Sequence, residues 1–316
     1  MTAYLVRRLL AFLLTLLLAA LVIFVVLEVL PGDPAQMMLG TEARPDTLAA
    51  LRAQMGLDRP APERFLRWLG GLATGDMGTS LTYDVPVQEL IGDRLAITLP
   101  LAVMALLTAV AVALPLGMLA AARQGRPADY AVMGFSQLGL AIPNFWFGIV
   151  LTLVFSVTLG WFASGGFPGW SAGVGAALKA LLLPSLALAL AEAAILARVV
   201  RSSILENWRE DYVRTARAKG LSSAAVLRRH VLRNAAIPIV TILGLQFAFL
   251  VAGAIVVENV FYLPGLGRLL FQAVSQRDLI VVKDVVLLLT ALVIAVNFLV
   301  DVLYALIDPR PKAGAA

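Results

Sequence analysis

Six stretches of this chain, each about 20 residues or longer, carry almost no charge, and that feature excludes most folds open to 316 residues. From Leu9 to Leu27 there is no charged side chain at all. A helix crossing the hydrocarbon core of a bilayer needs about 20 mostly apolar residues, because its backbone polar groups must be satisfied within the segment. The runs Leu9–Leu30, Ile97–Ala122, Ala131–Leu159, Leu181–Val200, Ile237–Val257 and Val285–Ile307 meet that requirement. They predict an all-α membrane protein with about six transmembrane helices. Composition agrees: 60% of residues are hydrophobic, against about 45–50% in soluble domains, and only 14% are charged. Pro100, Pro115, Pro143, Pro184 and Pro238 fall in or beside these runs, and neighbouring helices can satisfy the backbone groups they free. The third run is long enough to tilt or to end in an interfacial turn, and Pro238 reads as the start of the fifth. The first run, preceded by Arg7 and Arg8, exceeds the usual 7–15 apolar residues of a cleaved signal and reads as an uncleaved anchor.

Lys and Arg accumulate in cytoplasmic loops, so their distribution sets the orientation. With the N-terminus inside, 15 of the 25 basic residues fall on the cytoplasmic side: Arg7, Arg8, Arg123, Arg126, Arg198, Arg201, Arg209, Arg214, Arg217, Lys219, Arg228, Arg229, Arg233, Arg310 and Lys312. Six more lie in the long stretch Pro31–Arg94, and long loops largely escape the rule. The short outer loops hold only Lys179, Arg268 and Arg277. Both termini are therefore expected in the cytoplasm. The net charge of +5 serves topology and gives no reason to invoke nucleic acid.

Two polar stretches are patterned. In 31–94, Asp46 precedes Leu48, Leu51 and Met55 as a short capped amphipathic helix, and Glu63–Leu72 reads as a second. Gly75-Asp76-Met77-Gly78 reads as a turn. This stretch is expected to form a small outer-face domain between a first helix at 1–30 and a five-helix core at 95–316. The other stretch, 201–236, joins runs four and five. Ile204, Trp208, Tyr212 and Ala216 recur every fourth residue as one helical stripe. Gly220 suits the left-handed position that ends a helix, and Ser222 suits the N-cap of the next. A helix–tight turn–helix results, with Ala218-Lys219-Gly220-Leu221-Ser222 at its tip. The expected next helix runs on through Val226, Leu227 and Val231.

Catalytic patterns are missing. None of Lys179, Lys219, Lys283 and Lys312 follows a glycine, so no phosphate-binding loop ends in Gly-Lys-Ser/Thr. There is no cysteine, and the single histidine, His230, sits among Arg228, Arg229 and Arg233 as an ordinary loop residue. No metal site or resident cofactor is expected, and the chain is not expected to be an enzyme. Polar groups at membrane depth are Asn144, Glu192, Gln246 and Asn297, with Asp301 nearer the cytoplasmic end. Such groups face the bundle interior, where they either line a substrate path or bond helix to helix. The neutral amides suit peptide backbone, whereas a selective path for a bare metal ion would call for imidazole or thiolate.

The string Asp211-Tyr212-Val213-Arg214-Thr215-Ala216-Arg217-Ala218-Lys219-Gly220-Leu221-Ser222 resembles the cytoplasmic signature loop of ABC importer permeases, peptide and nickel branch. The wider class begins Glu-Ala-Ala with a glycine four residues after the second alanine. Ala216 and Gly220 match, and Arg214-Thr215 stand in place of Glu-Ala, as is usual in that branch. The resemblance, nearest to the dipeptide/oligopeptide permease B subunits, extends along nearly the whole chain. It includes Tyr4–Leu9, Leu30–Pro34, Gly75–Ser80, Pro86-Val87, Arg94-Leu95, Ile142–Trp146, Val257–Phe261, Leu263–Gly267 and Asp308-Pro309-Arg310.

The resemblance implies a type I importer (MetI-like) permease fold in the bacterial inner membrane. The implied partners are a second homologous permease, two ATP-binding subunits that carry ATP and Mg, and an extracytoplasmic substrate-binding protein. It implies that Arg214, Ala216, Arg217, Ala218, Lys219, Gly220, Leu221 and Ser222 couple the channel to the ATPase. Cargo is expected to be di- or oligopeptides, with nickel chelates, glutathione or oligosaccharides as alternatives in the same class. A secondary transporter is the competing class, but it commonly shows an inverted repeat, and none is evident here.

Overall fold

The computed structural model describes residues 2–29, 34–39, 44–54 and 56–307. The strings Leu30–Asp33 and Asp308-Pro309-Arg310, and Lys312, lie outside the described residues. Among the described residues the regular structure is helical, apart from one isolated bridge between Thr79 and Pro86.

Helix α1 (Thr2–Val29) is peripheral: it packs on the last helix and turns Leu10, Leu14, Val22 and Val26 outward. Three short helices follow, α2 (Pro34–Leu39), α3 (Pro45–Gln54) and α4 (Ala61–Thr74). Helices α3 and α4 are the two expected in the outer stretch; α2 was not expected. Gly75, at φ 81°, ends α4 in the turn read from the sequence. Phe65 and Trp68 on α4 pack against Phe24 of α1, so this helical unit is tied to the bundle by an aromatic cluster.

Helix α5 (Val87–Ala122) starts well before Ile97, because Val87 and Ile91 already find buried positions near its N-terminal end. The third apolar run is not one tilted helix. It forms α6 (Pro127–Ala141) and α7 (Asn144–Leu151), the latter continued by π-helical turns over Thr152–Thr158, and the two arms are bent by 99°. Pro143 has no amide hydrogen and pushes the preceding Ile142 into an extended conformation, which breaks the helix there. Helix α8 (Val174–Trp208) is the central element. Helix α9 (Asp211–Ala218) and the short α10 (Ser223–Val226) flank the tip, and a π-helical turn at Leu227–Val231 leads into α11 (Leu232–Val260). Pro238 lies inside α11 and does not start it; the helical path from Ser223 to Val260 spans 38 residues. Near the end of the described chain, α12 (Leu266–Gln276) occupies what the sequence suggested was a plain outer loop, and α13 (Leu279–Ile307) is the last apolar helix. The described residues thus hold five helices long and apolar enough to cross a membrane, and a sixth span when the bent pair is taken as one.

Helix α8 packs on α5, α6, α7 and α11. Its contact with α5 includes a stretch of small residues: Ala109, Ala113 and Gly117 on α5 cluster with Ala189, Ala193, Ala197 and Val200 on α8. A Cβ added at Gly117 would stand 2.6 Å from the Val200 Cβ and 2.7 Å from the Ala197 carbonyl oxygen. Lipid tails are as apolar as leucine, so helices in a bilayer associate through close packing, which such small residues permit.

Candidate functional site

The tip between α9 and α10 follows from its residues. Helix α9 ends at Ala218; the Lys219 amide bonds back to Thr215 O and the Leu221 amide to Ala216 O. Gly220 takes φ 81°, and Ser222 accepts a hydrogen bond from the Ala225 amide at 3.4 Å. Val213 and Ala216 are buried against the bundle with Val226 and Val231. Arg214, Arg217, Ala218, Lys219, Gly220 and Ser222 are exposed, and Leu221 is half-buried. The result is a small basic knob on an apolar root. The stripe Ile204–Ala216 is carried by two helices, since the chain breaks at Arg209-Glu210 between α8 and α9. Two contacts fix that corner: the Tyr212 hydroxyl donates to Asn207 Oδ1 at 3.0 Å, and the Arg217 guanidinium stacks 4.9 Å from the Trp208 ring centroid.

At the same end of the bundle, Arg201 holds Asp129 in a two-pronged ion pair, Nε to Oδ1 at 2.5 Å and Nη2 to Oδ2 at 2.7 Å. Asp129 is only 3% exposed and also accepts from the Gly125 amide at 3.0 Å. This brace joins α6 to α8, and the sequence reading missed it. The signal was an acid just before an apolar run, at the first turn of α6.

The four membrane-depth polar residues do not converge. Glu192 and Gln246 do meet, between α8 and α11: Gln246 Nε2 donates to the Glu192 carbonyl at 2.7 Å, and both residues are buried. Glu192 Oε2 and Gln246 Oε1 have no hydrogen-bond partner among the described residues. Asn144 begins α7 close to Gly253, and Asn297 is exposed on α13 near Gly244. Helix α11 is the element common to all three places: Gly244 and Gln246 lie within one turn of each other, and Gly253 about two turns further along.

The opposite end carries a carboxylate latch that sequence reasoning also missed. Glu258, fully buried, accepts from Thr98 Oγ1 at 2.5 Å and from the Gly267 and Arg268 amides at 2.7 and 3.1 Å. Thr98 Oγ1 in turn accepts from the Leu266 amide at 2.8 Å. A carboxylate here satisfies the otherwise unpaired amides at the start of α12 and fastens it to α5 and α11. A second tie is made by Trp68 Nε1, which donates to Asp284 Oδ1 at 2.6 Å and joins α4 to α13.

The bundle thus ends in a basic helical knob at one end and a carboxylate latch at the other. The family described as "binding-protein-dependent transport system inner membrane component" matches residues 113–313, and the N-terminal model of the same system matches residues 1–102. The chain belongs to this family. As a member, the permease is a multi-pass membrane protein and the translocation subunit of an ABC importer, not an enzyme, and it works with ATPase and substrate-binding partners. It is 40% identical over 319 residues to a protein of Brucella abortus (strain 2308) provisionally named a peptide transport system permease, covering 99% of each chain. It is 43% identical over 309 residues to the glutathione transport system permease protein GsiC of Salmonella paratyphi A, covering 98% of each. The fold matches a chain of the MetNI methionine ABC transporter in an inward-facing conformation, with TM-score 0.56 and 20% identity over 69% of the permease and 96% of that chain. The type I importer permease fold expected from the signature loop is therefore the fold of this chain.

Proposed function

We propose that the permease carries short peptides, glutathione-like tripeptides included, into the cytoplasm. The observation that carries this reading is the naming of relatives at 40–43% identity over nearly the full chain: peptide transport in one group, glutathione in the other. Glutathione is itself a small peptide, so both names describe one chemical class. The neutral amides Asn144 and Asn297 are compatible with peptide bonds passing without being held tightly, whereas Gln246 is buried against α8. Nickel chelates and oligosaccharides are the alternatives within the same import class.

The working assembly would place this chain beside a second homologous permease in the inner membrane, with two ATPases below and a binding protein above. ATP and Mg would sit in those ATPases. Both termini and the knob would face the cytoplasm, and 31–94 the outside. The exposed side chains Arg214, Arg217, Lys219 and Ser222 would enter a groove of the ATPase. Ala216, Ala218, Gly220 and Leu221 would give the knob its shape. Uptake in cells lacking this subunit tests the cargo. Loss of labelled di- and tripeptide import, restored by the gene, is the expected result. Unimpaired peptide import together with lost nickel accumulation would overturn the peptide assignment and leave the importer assignment standing.

A further inference from the structure

We propose that the cleft under the loop from Gly160 to Gly173 is a binding site for a small amphiphilic anion, held by Lys179. The cleft has a volume of about 550 Å³ and apolar walls made by Phe162, Phe167, Leu183, Pro184 and Phe261. Ligand sites are typically about 300–1,000 Å³ and mostly apolar, with few polar groups to fix orientation. Here one group fills that role: Lys179 is the only charged side chain lining the cleft, and the only one between Asp129 and Glu192 in the chain.

The loop over the cleft is tied to the bundle at several points. The Gly166 amide donates to Phe261 O at 2.8 Å, Ser156 Oγ to Ala163 O at 3.0 Å, and Trp170 Nε1 to Ala96 O at 3.0 Å. Phe162 stands edge-on to Phe155, and Phe167 to Trp170. The last tie places the cleft at the N-terminal end of α5, on the same side as the Glu258 latch. Lys179 Nζ rests 5.4 Å from the Phe162 ring centroid and makes no salt bridge among the described residues. A cation leaning on a ring beside an apolar cavity, with no acid lining that cavity, is complementary to a carboxylate or phosphate carried on an apolar body. Two sources share that chemistry: the headgroup of an anionic phospholipid, and the carboxylate of a carried solute. The second source rests on the peptide reading above; the first does not.

The test uses the permease purified with its partners in nanodiscs, as wild type, Lys179→Ala and Lys179→Arg. One arm measures phosphatidylglycerol binding by native mass spectrometry, with phosphatidylethanolamine as control. The other measures binding of the dipeptide Leu-Phe and of its C-terminal amide by calorimetry. The expected result is a loss of about tenfold or more in Lys179→Ala for at least one anionic probe, as for removal of a charged hydrogen-bond partner. Lys179→Arg should retain binding, and the neutral controls should not change. Dependence in the first arm assigns the site to lipid, and in the second to solute. Binding of both anionic probes that is equal in wild type and Lys179→Ala, or absent in both, overturns the site. Peptide uptake in the deletion strain is a separate measurement, so failure here leaves the cargo reading untouched.

Discussion

At Gly220 the backbone sits at φ 81°, and a Cβ placed there would meet no atom of this chain within 4 Å. The requirement for glycine is therefore conformational and not steric. A residue with a Cβ pays about 1–2 kcal/mol to enter the left-handed region, whereas asparagine tolerates it. Gly220→Ala and Gly220→Val should lower uptake several-fold while the thermal midpoint of the purified permease barely moves, and Gly220→Asn should keep most of the activity. Equal uptake in all three variants would show that the tip does not couple. The Asp129–Arg201 brace makes the opposite demand on thermal stability. Removing Asp129 leaves the partly buried Arg201 guanidinium without its partner, at a cost of about 1–3 kcal/mol. Asp129→Ala should lower the denaturation midpoint strongly, and Arg201→Lys should lower it measurably because an ammonium cannot make both bonds. An unchanged midpoint in Asp129→Ala would show that the brace carries no stability. The tip was legible because its signals are local: a left-handed glycine and a serine cap lie within three residues of each other. The brace was not, since its partners are 72 residues apart and Arg201 alone looks like an ordinary topology signal.

Elements were read well where a period or a length defined them. The apolar runs matched helices, and α3, α4 and α9 emerged from capping and stripe patterns. The misses share one cause: the same apolar side chains serve a straight helix and a broken one. The 99° bend at Ile142-Pro143 and the uninterrupted passage through Pro238 are both proline sites in apolar surroundings. Packing, not local sequence, decided which proline would break the helix. Helix α12 was hidden for a related reason, because its eleven residues are too few for a span and its N-terminus is capped by Glu258, distant enough in sequence to escape a local capping pattern. That latch makes a prediction at this scale. Thr98→Val keeps the shape but removes both the donor to Glu258 and the acceptor for the Leu266 amide, leaving buried groups unpaired at about 1–3 kcal/mol each. Amide exchange over residues 266–268 should accelerate in that variant relative to the core of α8. Unchanged exchange would show that the latch does not hold α12.

For the whole molecule, the proposed orientation rests on the basic residues and is open to a direct check, because the chain has no cysteine. A cysteine introduced at position 60 should react with a membrane-impermeant reagent from outside the cell, and one at position 219 only after the membrane is opened. The reverse pattern would invert the topology and remove the knob from the compartment where ATPases lie. One element runs between these two surfaces. From Ser223, just past the tip, to Val260, just past Glu258, the chain is helical for 38 residues, about 57 Å at 1.5 Å per residue. It is rooted near the tip by Val226 and Val231 and clasped at the other end by the latch. A helical rod held at both ends works as a crankshaft: displacement of one end is passed on to the other. With the tip seated in an ATPase and a loaded binding protein above the latch, the two machines would read each other through that rod. Linkage then requires that nucleotide below and loaded receptor above strengthen or weaken each other's binding by the same factor.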